Sequence, residues 1–296
     1  MALSLRIDRR STERWFGYVK SALWPYFRPQ VIGAEKLPRG RGLIVGCHSG
    51  VIPYDAACTL VAIREATGRF SYAIGDFFFG RLPFVEQFLH AKGALIGRPE
   101  VVEAALRDGN LVLLFPGGAL DMERSYLTQR YRIVPHRGFA PGRGGYIKIA
   151  LRTRTPIIPL AVVGAEEVHV MLGHFRIPAR VFGVRFFPLV LFPFPLPAKM
   201  YIRFGEPFLL PGTPADADDQ QRVDELNVLV RRRVQRLIDD TVRRRHGVIF
   251  SVYEDGPPPR PPAPARRPAT ARRPRRIASA EVQPRPPAHR ASEPEA

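Results

Sequence analysis

The chain has 296 residues, of which 45% are hydrophobic, and this length and apolar content predict one α/β domain with a substantial core. Its net charge is +18, most of which remains when the arginine-rich C-terminal region is set aside, so polyanions such as nucleic acid, anionic lipid headgroups or a phosphorylated cofactor are favoured partners. No run of eighteen uncharged apolar residues occurs, and Cys47 and Cys58 lack metal-site spacing, which argues against a spanning helix, a disulfide framework and a cysteine–metal site.

The first predicted element is an aromatic, basic and amphipathic stretch over residues 11–27. Trp15, Tyr18 and Trp24 lie beside Lys20 in this stretch. Membrane interfaces favour this combination, because the rings are buried while their polar edges stay in water. We predict a membrane-interface segment over residues 1–29, ahead of a domain over residues 30–250. Packing onto the core of that domain would produce the same pattern and is the alternative.

A strand followed by a histidine is the central feature of the domain. The apolar run 43–45 predicts a buried strand that leads to His48, and Asp55 follows seven residues later. Pro53 forbids a regular helix across the gap, so Asp55 reaches His48 only if the segment folds back. A histidine held by a carboxylate can take a proton from an alcohol near neutral pH. The same residues also suit a turn or a helix cap, which is the alternative interpretation.

Further strands and helices are predicted along the chain. They are an edge strand within 30–38, strands at 70–74 and at 93–98, the second of which ends on Arg98, a helix over 99–107, a loop over 123–145, a helix over 146–152, a strand over 155–164 that contains Pro159, and a strand at 201–204. This alternation predicts an α/β fold with a mostly parallel central sheet flanked by helices. The aromatic-rich region 76–88 could wall an apolar slot or pack in the core.

The apolar run 111–115 predicts a buried parallel strand, and the residues after it form a second candidate site. The strand ends in Phe115, Pro116, Gly117 and Gly118, and Asp121 follows. A Pro-Gly-Gly turn lets a substrate approach the backbone closely, and free amides there can bind an oxyanion. An ordinary turn is the alternative interpretation.

The C-terminal half contains a second candidate for membrane contact. Prolines in the region 177–208 prevent a helix, and they alternate with Phe182, Phe186, Phe187, Phe192 and Phe194. Exposed aromatic residues are costly in water unless they meet lipid or pack on the domain. Residues 220–245 predict a long helix whose apolar side packs on the domain, and the Pro/Arg-rich residues 255–296 predict a disordered tail.

Four blocks, taken in order, resemble the glycerolipid and lysophospholipid acyltransferase superfamily, and most closely its diacylglycerol acyltransferase-like branch. The blocks are His48 with Asp55, residues 93–98, residues 115–118, and residues 156–167. The resemblance implies that His48 deprotonates an acceptor hydroxyl, which attacks an acyl thioester, while Asp55 orients the imidazole. It implies that Arg98 binds a phosphate or an acceptor headgroup. It further implies that the substrate-binding residues include Phe115, Pro116, Gly117, Gly118, Asp121 and Pro159.

Two features depart from the usual pattern of that superfamily. Six residues separate His48 from Asp55 where four are usual, which resembles a longer variant found in some bacterial and neutral-lipid members. Gly117 stands where the third block usually carries glutamate, as in the diacylglycerol acyltransferase-like branch, in which an acid a few residues on, here Asp121, completes the motif. These departures favour a neutral or atypical glycerolipid as the acceptor.

The resemblance implies an O-acyltransferase that uses acyl-CoA or acyl-carrier protein as co-substrate, with no further cofactor and no metal. We expect a peripheral or monotopic protein at the cytoplasmic face of a membrane. The alternative is a non-catalytic basic protein that binds lipid or nucleic acid, although no nucleic-acid recognition motif is present. A serine hydrolase is disfavoured, because no Gly-x-Ser-x-Gly elbow occurs and Ser49 is badly placed beside its base.

Overall fold

The computed structural model describes residues 7–50, 52–75, 94–96, 99–123, 126–175 and 187–256. Its strands are β1 (Gln30–Ile32), β2 (Gly42–Val45), β3 (Tyr72–Gly75), β4 (Ala94–Ile96), β5 (Leu111–Leu114), β6 (Ile157–Val163), β7 (Met171–Phe175), β8 (Phe187–Val190), β9 (Tyr201–Phe204), β10 (Arg245–His246) and β11 (Val252–Tyr253). Seven of them form one sheet in the order β1-β9-β6-β2-β5-β3-β4. The pairs β7–β8 and β10–β11 form two small separate sheets.

The helices lie on both faces of the large sheet. They are α1 (Arg9–Tyr18), α2 (Trp24–Phe27), α3 (Tyr54–Thr67), α4 (Pro99–Arg107), α5 (Tyr126–Gln129), α6 (Gly145–Thr153), α7 (Ala165–Val168) and α8 (Gln220–Arg244), with a π-helical turn, Val19–Leu23, between α1 and α2. Helix α4 has the bounds that the sequence predicts, with Pro99 at its first position. Of the described helices, none is both long and apolar enough to cross a bilayer.

Strand β2 lies in the middle of the sheet and pairs in parallel with β5 and β6. Val45, its last residue, is level with Leu114 and Pro159 on those neighbours. Strand β9 joins the other side of β6 in antiparallel orientation. The prediction of a mostly parallel sheet flanked by helices is therefore confirmed. Because parallel strands end at the same edge, the residues after β2 and β5 meet there.

Successive residues of β2 enter two different cores. Leu43 and Val45 pack on the side of α4, α6 and α8, whereas Ile44 packs on the side of α1 and α3. All three side chains are completely buried, and each contributes about 1.5–3 kcal/mol of apolar burial. The strand that leads to His48 is thus held from both faces. The long helix α8 packs its apolar side on the first of these cores, as predicted.

The N-terminal segment packs part of its aromatic side on the domain. Phe16, Val19 and Phe27 are buried in the domain core, which is the alternative interpretation. Tyr18 and Tyr26 on the same segment are 62% and 40% exposed. Membrane contact by this segment stays a prediction, with the tyrosines as the side chains that remain outside the core.

Two regions differ from the sequence-based expectation. The hairpin β7–β8 was not predicted, because Pro188 interrupts the apolar pattern of β8; a two-stranded sheet tolerates proline, since each strand has an open edge. The loop predicted over 123–145 contains α5 and a 3-10 turn, Arg137–Phe139. The aromatic region 76–88, Phe182, Phe186 and the tail from residue 257 lie outside the described residues.

Candidate active site

His48 and Asp55 form a hydrogen-bonded pair at the end of the central strand. The imidazole Nδ1 of His48 lies 2.6 Å from Oδ2 of Asp55. Asp55 is in the first turn of α3 and is completely buried, while the His48 side chain keeps 11% of its surface exposed. The hydrogen bond occupies Nδ1, so Nε2 is the ring nitrogen that can act as a base.

The chain folds back between these residues by wrapping around the Asp55 carboxylate. The amide of Ser49 donates to Oδ2 at 2.7 Å, and the amide of Ala56 donates to Oδ1 at 2.8 Å. Gly50 makes the turn with φ +83°, and a Cβ there would lie 2.6 Å from the carbonyl oxygen of Ala165. The two amides thus give each carboxylate oxygen a hydrogen-bond donor. Asp55 therefore holds the loop as well as the imidazole.

The ring of His48 stacks on the ring of Phe115, which follows β5. The ring centroids are 4.5 Å apart and the planes differ by 12°. Gly46, two residues before His48, lies so close to Phe115 that a Cβ would be 3.0 Å from the Phe115 ring. Phe115 thus fixes the plane of the imidazole, while Asp55 fixes its rotation.

Asp121 connects the turn after β5 to the backbone of His48. The amide of His48 donates to Oδ2 of Asp121 at 3.1 Å, and the carboxylate is buried. A Cβ on Gly117 would lie 2.0 Å from Oδ1 of Asp121, so the carboxylate fills the space beside Gly117. The amide of Gly118 donates to the carbonyl of Phe115 at 2.9 Å and is therefore engaged in the turn itself.

A second histidine, which sequence reasoning missed, lies on the other side of Asp121. Nε2 of His136 is 3.5 Å from Oδ1 of Asp121. The amide of Gly138 donates to the carbonyl of Pro116 at 2.9 Å, and this contact brings the segment around His136 to the turn. Fourteen residues separate Asp121 from His136, and they contain no motif that would predict the contact.

The fourth sequence block ends in a buried hydrogen-bond network. This network also holds the segment that leads to His136. Arg245 donates to Glu167 at 2.6 Å, and both side chains are almost fully buried. The hydroxyl of Tyr131 donates to Glu167 and accepts a hydrogen bond from the amide of Gly164. Burial, reinforced by the negative charge of Glu167, holds the pKa of Tyr131 well above its ordinary value. Tyr131 is thereby fixed five residues before His136.

The structure brings most of the predicted site residues together. His48, Asp55, Phe115 and Asp121 meet directly, around the turn that contains Pro116, Gly117 and Gly118. Pro159 lies in the neighbouring strand, opposite Val45. Arg98 lies outside the described residues.

The part of the chain that the structure describes shows no metal centre at this site, and a cavity near the start of β3 lies away from it. Among the described residues, no group of three or more His, Cys, Asp or Glu side chains could hold a metal ion. A cavity of about 840 Å³ is lined by Arg9, Arg64, Arg69 and Tyr72 among others, and it opens near the start of β3. That is the edge of the sheet opposite to His48. The two cysteines are buried, as predicted.

Known proteins that resemble this chain include one family model and several relatives. Residues 28–163 match the family model described as Acyltransferase. An uncharacterized protein of Mycobacterium tuberculosis (strain ATCC 25618 / H37Rv) is 32% identical over 238 residues, which cover 76% of this chain and 64% of that protein. The DGAT1/2-independent enzyme synthesizing storage lipids of Mus musculus is 30% identical over 229 residues, which cover 76% of this chain and 63% of the mouse protein.

The chain therefore spans slightly less than two thirds of the length of these relatives. Among solved structures, the 1-acyl-sn-glycerophosphate acyltransferase PlsC of Thermotoga maritima matches with a TM-score of 0.45 and 17% identity, covering 78% of this chain and 80% of the other.

Proposed function

Since residues 28–163 match the family model described as Acyltransferase, we propose that this chain is an acyltransferase and that it transfers a fatty acyl group from acyl-CoA to a hydroxyl of a glycerolipid or lysophospholipid. The family match also confirms the resemblance drawn from the four sequence blocks. The observation that carries the proposal is the hydrogen bond of 2.6 Å between His48 and Asp55 at the end of the central strand. A general base held in this way suits direct transfer between a thioester and an alcohol.

In the proposed reaction, Nε2 of His48 takes the proton of the acceptor hydroxyl as the oxygen attacks the thioester carbonyl carbon. The buried carboxylate of Asp55 stabilises the imidazolium that forms. The carbon–sulfur bond breaks, and the imidazolium returns the proton to the departing thiolate of CoA. The products are an ester and free CoA, and His48 is neutral again for the next turnover.

We propose that Asp121 positions this base through the backbone. Its carboxylate accepts the His48 amide and occupies the space beside Gly117, so one carboxylate ties the turn after β5 to the end of β2. Phe115 supports the same base by stacking on the face of the His48 imidazole. In this proposal the turn from Pro116 to Gly118 forms one wall of the substrate site.

We propose a neutral glycerolipid, such as a mono- or diacylglycerol, as the preferred acceptor. The mouse relative is named as an enzyme that synthesises storage lipids, and Gly117 with Asp121 replaces the usual glutamate of the third block. A phosphate carried by the donor or by the acceptor is assigned to Arg98, as the sequence resemblance implies. A guanidinium is suited to bidentate phosphate binding.

We further propose that the protein works as a peripheral or monotopic enzyme on the cytoplasmic face of a membrane, where water-insoluble acceptors reside. This is supported by the exposed Tyr18 and Tyr26 and by Phe192 and Phe194 after β8, which are 50% and 79% exposed. The net charge of +18 supports an anionic surface as the partner.

The test is an acyl-transfer assay with purified protein and detergent-dispersed acceptors. Labelled acyl-CoA or acyl-carrier protein is offered with lysophosphatidate, monoacylglycerol or diacylglycerol in parallel. We expect ester formation with acyl-CoA and a neutral acceptor, and transfer that is slower by about 10²–10⁴-fold with the His48→Ala variant. Absence of transfer to every acceptor by a folded wild-type protein would contradict the proposal. The Arg98→Ala variant should raise the KM of the phosphate-bearing substrate more than it lowers kcat.

A further inference from the structure

The loop between β10 and β11, together with the first residue of β11, exposes apolar side chains. Ile249, Phe250 and Val252 are 39%, 91% and 65% exposed. Gly247 starts the loop with φ +85°, and a Cβ there would lie 2.8 Å from the carbonyl oxygen of Phe250. Contiguous apolar patches on a protein surface, unlike single exposed apolar residues, mark sites of contact with other molecules.

This loop is held in place by cations on two neighbouring segments. Arg28, which follows α2, donates to the carbonyl oxygens of Ile249, at 3.0 Å, and of Pro197. The backbone amide of Lys199 donates to Val248 at 3.0 Å, and its side chain donates to the carbonyl of Ser251 at 3.2 Å. The apolar tip is therefore presented by a fixed loop.

The segment after β8 belongs to the same surface. The hydroxyl of Tyr26 donates to the carbonyl of Pro195, next to the exposed Phe194. Leu191 and Phe192 are 53% and 50% exposed on the same segment. Arg28 and Tyr26 thus bind together three parts of the chain that are distant in sequence, and each part exposes apolar residues.

This surface lies at the catalytic edge of the sheet. Tyr201, the first residue of β9, is level with Val163, the last residue of β6, and with Gln30, the first residue of β1. The segments before β1 and β9, which carry Arg28 and Lys199, are therefore at the edge where β2 leads to His48. The rings of Phe27 and Tyr54 are 5.0 Å apart, and Tyr54 directly precedes Asp55.

We propose that residues 248–250 are a third membrane-contact element, which inserts Phe250 into an anionic bilayer while Arg28 and Lys199 face the headgroups. The proposal rests on the membrane-bound acyl transfer proposed above and names the segment that docks the catalytic edge onto the lipid. An anionic bilayer suits the charge of this surface, because within the described residues neither Arg28 nor Lys199 makes an ion pair with a carboxylate. Basic side chains beside inserted aromatic residues are typical of interfacial binding.

The experiment is co-sedimentation of full-length Phe250→Ser protein with vesicles of equal parts phosphatidylcholine and phosphatidylglycerol. Leu209→Ser is the matched control, because Leu209 is 64% exposed beside Phe208, which pairs with the first residue of β6 at the opposite edge. We expect Phe250→Ser to weaken partition into vesicles about tenfold, and Leu209→Ser to leave it unchanged. Arg28→Gln should also weaken partition, since the loop loses its attachment.

Two further measurements separate the alternatives. Equal sedimentation of Phe250→Ser and wild type would overturn the proposal. A change from dimer to monomer in Phe250→Ser, measured by light scattering without vesicles, would show that a second copy covers the loop and would overturn it as well. Acyl transfer to detergent-dispersed acceptor should be the same in Phe250→Ser and wild type. If the wild type transfers no acyl group while Phe250 still governs vesicle binding, the proposed activity fails and the docking surface stands.

Discussion

The carboxylate of Asp121 occupies the space in which a side chain at position 117 would lie, since a Cβ on Gly117 would be 2.0 Å from Oδ1 of Asp121. The same carboxylate accepts the backbone amide of His48. Glycine at 117 is therefore coupled to aspartate at 121. This coupling gives a physical reason why the third sequence block carries glycine where the superfamily usually carries glutamate.

The first prediction tests that coupling. Gly117→Ala should lower kcat/KM and destabilise the protein by about 1–3 kcal/mol, because the methyl group must displace the carboxylate or the backbone. In an Asp121→Ala background the same substitution should cost much less. Urea melts and kinetics of both single variants and the double variant give the interaction energy. Additive effects would show that the two positions are independent.

The second prediction concerns the base. His48→Ala should lower kcat by about 10²–10⁴-fold with little change in the unfolding transition, because it removes the group proposed to activate the acceptor. His246→Ala is the control, since that side chain is 57% exposed and pairs with Glu254. Turnover by a folded His48→Ala protein at the control rate would rule out the proposed mechanism.

The third prediction concerns the buried carboxylate of the pair. Asp55→Asn should lower turnover, because an amide can hydrogen-bond to Nδ1 but cannot stabilise the imidazolium. It should also destabilise the loop, since Oδ1 and Oδ2 accept the amides of Ala56 and Ser49. Thermal melts beside kcat measurements separate the two effects. Unchanged kcat would mean that Asp55 stabilises the loop after His48 but does not assist His48 in catalysis.

Much of the fold was predictable because buried parallel strands are continuous apolar runs. The runs before His48 and Phe115 are of this kind, and their order along the chain predicts that both end at one edge. Pro99 marked the start of α4 directly. The pairing of His48 with Asp55 was also predictable, because Pro53 left folding back as the way to bring them together.

Other parts depend on contacts between residues distant in sequence. His136 reaches Asp121 because Gly138 packs on Pro116 and Tyr131 is held by Glu167 and Arg245. No local pattern encodes such contacts. The exposure of Phe250 was not predictable either, because a single phenylalanine in a short apolar run resembles a core residue in the sequence.

The fourth prediction concerns Cys58. Burial, reinforced by the neighbouring Asp55 charge, raises the pKa of its thiol from 9.0 to about 12. The folded thiol is therefore neutral and unreactive at pH 9, where a large part of the unfolded thiol is ionised. The contribution of this pKa difference to the free energy of unfolding is fully present below the unfolded pKa. It is lost as pH rises towards 12, because ionisation of the thiol then favours the unfolded state. Iodoacetamide at pH 9 should label Cys58 in denaturant and leave it unmodified in the native protein, as peptide mass spectrometry would reveal. Equal labelling in both states would contradict the buried position.

The last prediction separates insertion from electrostatic attachment at the segment after β8. Each inserted aromatic side chain contributes about 1.5–3 kcal/mol, and each cation near an anionic surface about 1 kcal/mol, a contribution that salt screens. High salt should therefore weaken wild-type binding to anionic vesicles without abolishing it. The double variant Phe192→Ser, Phe194→Ser should bind weakly even at low salt, because both side chains are at least half exposed and their loss costs the core little. Co-sedimentation at low and high salt, with Leu209→Ser as control, measures both effects. Complete release of wild type by salt alone would mean that attachment is electrostatic, and binding of the double variant at the wild-type level would place the contact elsewhere.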